Sequence, residues 1–291
     1  MELTNFSLYY GNSVDKDAIG AIAYRNKDQA VYGSIIDDFQ TNIVVVYEGE
    51  VDEPYIQHFM VRDEHCQIMN VAMEDFRKEL LNGTHKVLLK CLLEGDIIKD
   101  SDDRLYSMRR DFLTFEEPIR ERKLFIGYAN FLQKYVDAKM LMKEERLLDA
   151  YFCTLEGLHH WAELELLERG IHPNTAVWDQ VTGLNTPVRK LYEELTASTE
   201  TLGQRIELVL LACDFSMVSK LEHCAAPLLR LLRSRRSPWT MQELMLHPEL
   251  EALRSVMPIV LRQLIYRSIV KEAAVWKEAR AYHEPVRYYA E

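Results

Sequence analysis

The sequence predicts an α+β protein in which an N-terminal mixed sheet with helices precedes a central all-α bundle and a small C-terminal module. Three observations predict this class. Short apolar runs typical of strands fill the first quarter of the chain, helical periodicity fills the next half, and a basic linker precedes a final mixture of helix and strand signals. We therefore expect three domains, at residues 1–117, 118–233 and 234–291.

The N-terminal region combines strands with short helices. Three apolar runs predict strands, at Asn42 to Tyr47, Tyr55 to Val61 and Cys66 to Val71. The polar run between the last two predicts a hairpin turn, so these two strands should be antiparallel. The segment from Lys16 to Arg25, which follows Asp15 as a candidate cap, predicts a helix.

Helices dominate the chain after the predicted strands. Two short helices end at Gly83 and Gly95, where glycine suits a left-handed C-terminal cap, and a third runs from about Asp102 to Thr114. The central region predicts long amphipathic helices whose narrow apolar stripes require helix-on-helix packing. These run around 124–142, 144–169, 187–196 and 201–219, with glycine-containing and proline-containing breaks at 170–173 and 183–187.

The C-terminal region follows a linker at residues 234–238. Thr240 and Glu243 fit a capping box at the start of a helix, and a second helix is expected from Pro258 to Ser268. Two strand-like segments follow, at 269–277 and 286–289. Helices followed by a hairpin predict a winged helix-turn-helix.

Composition restricts the class of protein. The chain has 291 residues, 48% of them apolar, which is enough for a sizeable core. It shows no export signal and no membrane-spanning run, so we expect a cytoplasmic protein with no membrane partner. Five scattered cysteines without a C-x-x-C pair predict reduced core thiols. The net charge of −11 is uneven, because residues 233–291 carry ten basic against seven acidic side chains.

One stretch, VYGSIIDDFQTNIVVVYEG at residues 31–49, carries the strongest functional signal. Gly33 and Ser34 predict a turn whose amides and hydroxyl can hold phosphate, so they are candidate nucleotide-binding residues. Nucleotidyl transfer uses divalent metals, which prefer carboxylate oxygens. Asp37 and Asp38 are therefore candidate ligands for magnesium bound with a nucleoside triphosphate. A solvated acidic turn is the alternative for these two aspartates.

The same stretch resembles the opening of a polymerase-beta-type nucleotidyltransferase domain, and LLNGTHKVLLKCLLEGDIIKD resembles segments after that domain's strands. LEGLHHWAELELLERGIHPNTAVWDQV and the tail beginning WTMQELMLHPELEAL extend the likeness to a nucleotidyltransferase-like protein family of Gram-positive bacteria. The resemblance implies a nucleotidyltransferase domain, a helical domain that helps to hold substrate, and a C-terminal winged helix. It also implies transfer of a nucleotidyl group to an acceptor that the sequence does not identify.

The metal ligands usual in that family are missing from the predicted strands. The first acid pair belongs on the strand that begins at Asn42, where the sequence has an amide followed by Ile43 and three valines. The third acid belongs on a neighbouring strand, yet residues 66–71 contain none. Two interpretations stay open: a transferase with a degenerate metal site, or a non-catalytic protein that keeps the fold to sense nucleotides or to bind nucleic acid or a partner. A structural protein without a ligand is a third.

Histidine and basic side chains supply candidates for substrate contact. His159 and His160 are adjacent on a predicted helix and about 100° apart, so they cannot share a metal in the i, i+4 manner. The resemblance implies that this region helps to hold substrate, and packing inside the bundle is the alternative. Arg120 and Lys123 follow Pro118 at an expected domain junction and can neutralise phosphate, unless they form a solvated helix face.

Three basic residues of the C-terminal region are candidates for nucleic-acid contact. Arg262, Arg267 and Lys271 surround the second helix expected there. A nucleic-acid surface would need them on one side and would bind less tightly as salt rises. A module for packing or dimerisation is the alternative, and the sequence leaves the oligomeric state open.

Overall fold

The structure is a computed structural model that describes residues 17–25, 39–51, 55–61, 64–83, 85–174, 176–184, 186–273 and 286–290. The chain divides into two compact units, residues 1–119 and residues 120–291. The fold class is α+β, as the sequence predicts, with a mixed sheet and a predominance of helix. A separate domain at 234–291 stays a prediction.

A five-stranded mixed sheet is the centre of the first unit, in the order β3-β4-β2-β1-β5. Its strands are β1 (Ala18–Arg25), β2 (Thr41–Tyr47), β3 (Ile56–Val61), β4 (Glu64–Ala72) and β5 (Asp96–Asp100). β2 and β4 are parallel, whereas the other neighbouring pairs are antiparallel. The three predicted strands are confirmed as β2, β3 and β4, and the last two pair antiparallel as expected.

The helix predicted from Lys16 to Arg25 is wrong, because its described part is the strand β1. β1 lies between β2 and β5, where small residues let neighbouring elements approach closely. Gly20 shows how closely, since a Cβ atom there would lie 2.5 Å from Leu105 Cδ1. Ile22 is fully buried in the same core. Packing in the sheet therefore overrides the helix propensity of an alanine-rich run.

Helices α1 (Met73–Asn82), α2 (Lys86–Glu94) and α3 (Arg104–Thr114) contribute to the core on one face of the sheet. Val44 of β2 and Met69 of β4 belong to this core. Successive residues of a strand point to opposite faces. Ile43 and Val45 accordingly belong to a second apolar cluster on the other face. This alternation fixes which residues of β2 can form a site together.

Glycine is required at positions 83 and 95 for different physical reasons. Gly83 follows α1 with φ of 69°, which is left-handed as expected. Gly95 follows α2 with φ of −77°, so the expected left-handed cap is wrong there. Position 95 requires glycine for space, because a Cβ atom would lie 2.5 Å from the carbonyl oxygen of Cys91 and 2.8 Å from Ile22 Cγ2.

The second unit is helical over most of its length. Its helices are bounded as follows: α4 (Glu117–Lys143), α5 (Leu147–Glu168), α6 (Val177–Thr182), α7 (Pro187–Ala197), α8 (Leu202–Cys224) and α9 (Ala226–Arg233). The four long predicted helices are confirmed as α4, α5, α7 and α8. The break after α5 contains Gly170 at φ of 73°, and Pro187 begins α7 where its missing N–H costs nothing.

The described residues of the C-terminal part of this unit form short helices and three short strands. These are β6 (Trp239–Thr240), α10 (Met241–Leu246), a 3-10 helix (Pro248–Leu253), α11 (Met257–Tyr266), β7 (Lys271–Ala273) and β8 (Arg287–Tyr289). The strands form a sheet in the order β6-β8-β7. The predicted capping box is confirmed, since Thr240 N donates to Glu243 Oε2 at 2.7 Å and Glu243 N donates to Thr240 Oγ1 at 3.2 Å. Residues 274–285 lie outside the described chain, and the winged helix-turn-helix stays a prediction.

Two further expectations concern membranes and cysteines. Across the described residues, no helix has both the length and the apolar character needed to cross a membrane. All five cysteines are free thiols, as predicted, and all except Cys153 are buried. Burial raises the pKa of the Cys91, Cys213 and Cys224 thiols to about 12, so these side chains stay protonated at neutral pH.

Candidate functional site

The predicted phosphate and metal residues lie outside the part of the chain that the structure describes. Gly33, Ser34, Asp37 and Asp38 all belong to residues 26–38. The description resumes at Phe39, just before β2. The strands where the resemblance places the acids, β2 and β4, belong to the described chain.

Two positions on these strands are part of the apolar core. Val44 on β2 and Met69 on β4 are direct neighbours in the parallel register, and both are 0% exposed. They pack in one cluster with Phe76 and Leu80 of α1. An isolated carboxylate is strongly disfavoured in such surroundings. The structure thus fills these positions with packing side chains.

Next to this core the sheet has a row of polar side chains, here called the amide ladder and consisting of Asn42, Gln67 and His58. Gln67 Nε2 donates to Asn42 Oδ1 at 3.1 Å. Gln67 Oε1 lies 3.1 Å from His58 Nε2, which acts as the donor because the amide oxygen only accepts. Each of the three comes from a different strand, β2, β4 and β3, at matching register positions.

Two residues just before β2, Phe39 and Gln40, contact β3 and β4. The rings of Phe39 and His58 have centroids 4.3 Å apart, and Gln40 Oε1 accepts a hydrogen bond from His65 N at 2.8 Å. The side chains of the ladder are amides and an imidazole, which form directional hydrogen bonds but do not supply the carboxylate oxygens that magnesium prefers. These three side chains fit a polar organic ligand better than a divalent cation.

Two acidic residues at the other end of the sheet have structural roles. Both Asp100 carboxylate oxygens accept backbone N–H groups at the start of α3, from Leu105 at 3.0 Å and from Tyr106 at 2.9 Å. Glu48 forms an ion pair with Arg104. Among the described residues, no group of three or more His, Cys, Asp or Glu side chains is placed to hold a metal ion.

In the second unit, the two predicted histidines meet on one carboxylate. His160 Nδ1 lies 3.1 Å from Glu163 Oε2, and His159 Nε2 lies 3.6 Å from Glu163 Oε1. The residues are three and four positions apart on α5, where side chains share a face. The adjacent histidines diverge as expected, but each reaches a different oxygen of the same side chain. We call His159, His160, Glu163 and Lys123 the imidazole cluster.

Lys123 of α4 brings a positive charge to the imidazole cluster. Burial lowers the pKa of its ammonium group to about 8, while the charge of Glu163 acts in the opposite direction. At neutral pH most of the population therefore carries the charge, and part of it can be discharged in mildly alkaline solution. Arg120, one turn earlier on α4, is half-buried.

An aromatic pair borders the imidazole cluster. Trp178 of α6 contacts the ring of His159 edge-on, with centroids 6.2 Å apart. Trp178 also packs on Tyr192 of α7, with centroids 4.2 Å apart and planes inclined by 34°. Both aromatic side chains are half-buried. Such a pair of rings offers a flat ligand a surface for stacking.

The three basic residues predicted to contact nucleic acid are all exposed, and they lie on different elements. Arg262 is within α11, Arg267 follows its last residue, and Lys271 begins β7. The Arg267 guanidinium lies 5.3 Å from the centroid of the Tyr266 ring. The contact of these residues with nucleic acid stays a prediction.

Sequence reasoning missed Glu163, Trp178 and Tyr192. Glu163 had a usable signal, because a glutamate three and four positions after two histidines on a helix must share their face. The aromatic pair had none, since it forms between α6 and α7 across a loop. The amide ladder was also missed, because its register depends on strand pairing that a single sequence does not specify.

Comparisons with known proteins agree with this architecture. Residues 1–122 match the family described as nucleotidyltransferase-like, and residues 121–220 match the family described as YgxA-like substrate binding domain. The chain is 30% identical over 270 residues to the protein YgxA of Bacillus subtilis (strain 168), covering 91% of this chain and 89% of that protein. It also superposes on the crystal structure of a nucleotidyltransferase-like protein from Exiguobacterium sibiricum 255-15. The TM-score is 0.86 at 26% identity, over 100% of this chain and 99% of that one.

Proposed function

We propose, from the premise that this chain belongs to the nucleotidyltransferase-like family, that it binds a nucleotide and does not transfer a nucleotidyl group. One observation carries the proposal. Val44 and Met69 lie on the two strands where the resemblance places the metal-binding acids, and both are fully buried in an apolar core. The fold is retained while the chemistry that divalent metals require is replaced at these positions.

The amide ladder supports the same conclusion. Two metals positioned for in-line transfer need carboxylate ligands, which the resemblance places on neighbouring strands. Asn42 and Gln67 instead bond to each other at 3.1 Å, which uses the amide oxygen that a metal would otherwise approach. Their remaining hydrogen-bonding groups can recognise a polar ligand without a change in charge.

The helical unit supports a binding role. The imidazole cluster and the aromatic pair all fall within residues 121–220, the region similar to a substrate-binding domain. In the proposed complex the base packs against Trp178 and Tyr192, and the phosphate chain interacts with Lys123. The histidines and Glu163 then donate to or accept from the polar groups of the sugar or base.

Magnesium and a nucleoside triphosphate remain a proposal that depends on Asp37 and Asp38. If both aspartates bound a metal, the protein could retain transfer through ligands placed before β2. The competing transferase hypothesis therefore makes a specific claim, namely that these two carboxylates are required for activity. It can be tested in the same set of measurements.

The experiment is a calorimetric titration of the purified protein with ATP, GTP, CTP and UTP, with and without magnesium. We expect at least one triphosphate to bind, and the Lys123→Gln variant to bind it at least tenfold more weakly. Lys134→Gln is the matched control, because Lys134 is on the same helix and pairs with Glu156 at 2.8 Å. Absence of binding for all four triphosphates would refute the nucleotide part of the proposal.

A second measurement tests the absence of transfer. The protein is incubated with magnesium and each triphosphate, and released pyrophosphate is quantified. We expect no release above that of the Asp37→Ala/Asp38→Ala double variant. Release by the unaltered protein that disappears in the double variant would establish the transferase hypothesis instead.

A further inference from the structure

A second cleft in the helical unit has features that the proposed function does not use. It lies between α4, α8 and α11 and has a volume of about 540 Å³, within the range of sites for small organic ligands. Its walls include Tyr135 and Lys139 from α4, Asp214 from α8, and Arg267 after α11. None of these residues belongs to the imidazole cluster.

The lining of this cleft is positively charged. Lys139 and Lys143 are four residues apart on α4, so they project from one face, and Arg267 adds a third cation. Among the described residues that line the cleft, Asp214 is the only carboxylate. The formal charge of the lining is therefore positive by two, in a protein whose net charge is −11.

Asp214 is already bound by neighbours, which leaves the other cations to face the cleft. Lys139 Nζ lies 3.0 Å from Asp214 Oδ2 and 3.3 Å from Oδ1, and the Tyr135 hydroxyl also donates to this carboxylate. Burial, followed by the hydrogen bond to Asp214, raises the pKa of Tyr135. Tyr135 thus stays a neutral donor, and the acid is fixed at one side of the cleft.

The mouth of the cleft offers exposed apolar surface beside the charges. The Tyr266 side chain is 77% exposed, and its ring lies 5.3 Å from the Arg267 guanidinium. Met140, between the two lysines of α4, is 56% exposed. Cations next to an exposed ring suit a ligand that has both an anionic group and a flat ring.

We infer that this cleft is a binding site for a small phosphorylated compound with a flat ring, distinct from the imidazole cluster. Lys143 and Arg267 can each contribute a charge-assisted hydrogen bond to a dianionic phosphate, and Lys139, which Asp214 holds at 3.0 and 3.3 Å, adds a third positive charge beside them. The ring of the ligand packs against Tyr266 and Met140. The site spans helices from both ends of residues 120–291, so an occupied cleft also connects α11 to α4 and α8.

The test uses the full chain, with adenosine 5′-monophosphate and inorganic phosphate as probes in calorimetric titrations. We expect the Lys139→Gln/Lys143→Gln double variant to bind adenosine 5′-monophosphate at least tenfold more weakly, and the Lys134→Gln control to bind it normally. Asp214→Asn should strengthen binding severalfold, because it removes the negative charge. Such a gain cannot be produced by partial unfolding, and circular dichroism checks the fold of each variant.

The outcomes separate this site from the imidazole cluster. If Lys123→Gln abolishes all binding of adenosine 5′-monophosphate and the cleft variants change nothing, the inference is overturned while the proposed function stands. If the unaltered protein binds neither probe at millimolar concentration, the inference is likewise overturned. Loss of binding in the cleft variants together with a gain in Asp214→Asn supports it, whatever the triphosphate titrations give.

Discussion

Val44→Asp is the change that most directly tests whether β2 has lost the ability to carry a metal-binding acid. Val44 is 0% exposed and packs in the apolar core with Met69 and Phe76. The substitution removes apolar burial worth about 2 kcal/mol. It also places a carboxylate among apolar side chains, which costs at least about 3 kcal/mol even if the group takes up a proton. We expect the free energy of unfolding of the first unit to fall by about 5 kcal/mol.

Two controls divide this cost into its parts. Val44→Ala removes apolar contacts without adding a polar group and should cost about 2 kcal/mol. Asn42→Asp should change stability by only about 1 kcal/mol, because the half-buried new oxygen can still accept from Gln67. The large effect is therefore expected at position 44 and not at position 42.

The assay must report the first unit alone. All four tryptophans lie at residues 161–276, so their fluorescence reports the second unit. Cys66 and Cys91 are 0% exposed in the first unit, and their reaction with a thiol reagent during urea unfolding follows that unit. If Val44→Asp unfolds within about 1 kcal/mol of Val44→Ala, the core accepts a carboxylate there and the reasoning is wrong.

Three further predictions concern other parts of the chain. Burial lowers the pKa of Lys123 to about 8, so the folded state releases its proton before the unfolded state does, and this residue's contribution to stability should rise from pH 8 to about 10. The difference in unfolding free energy between the unaltered protein and Lys123→Met should change across that range, and a constant difference would contradict the assignment. Gly95→Ala should destabilise the first unit by about 2 kcal/mol or more, because its Cβ would meet backbone and Ile22, and thermal unfolding followed by circular dichroism checks this. If Arg262, Arg267 and Lys271 contact nucleic acid, the unaltered protein should shift mixed DNA in a gel at low salt. A variant with all three residues changed to Gln should give no shift, and absence of a shift with the unaltered protein would refute the prediction.

The sequence predicted most elements whose apolar pattern was long and regular. The four long helices and the buried strand β2 are examples, because periodicity over many residues is decided by which face must be buried. β1 was predicted as a helix, since its alternation of small residues lacks the bulky side chains that usually mark a strand. β5 was missed because DIIKD contains only two apolar residues.

The candidate sites were predicted only in part, for a different physical reason. His159, His160 and Lys123 were identified from residue type, and the structure groups them around Glu163. The cleft that contains Lys139, Asp214 and Arg267 could not be found in this way, because its walls come from three helices distant in sequence. Such a site depends on tertiary packing rather than on spacing along the chain.

The missing acids and the preserved register of the sheet lead to one conclusion when considered together. β2 and β4 are parallel, and on these two strands, where the resemblance places the acids, Asn42 faces Gln67 and Val44 faces Met69. Here one pair is hydrogen-bonded and the next is sealed within the core, so each position contributes to stability. A carboxylate at position 44 or 69 would therefore require changes to the packing of α1, which supports the proposal that the protein binds a nucleotide without transferring it.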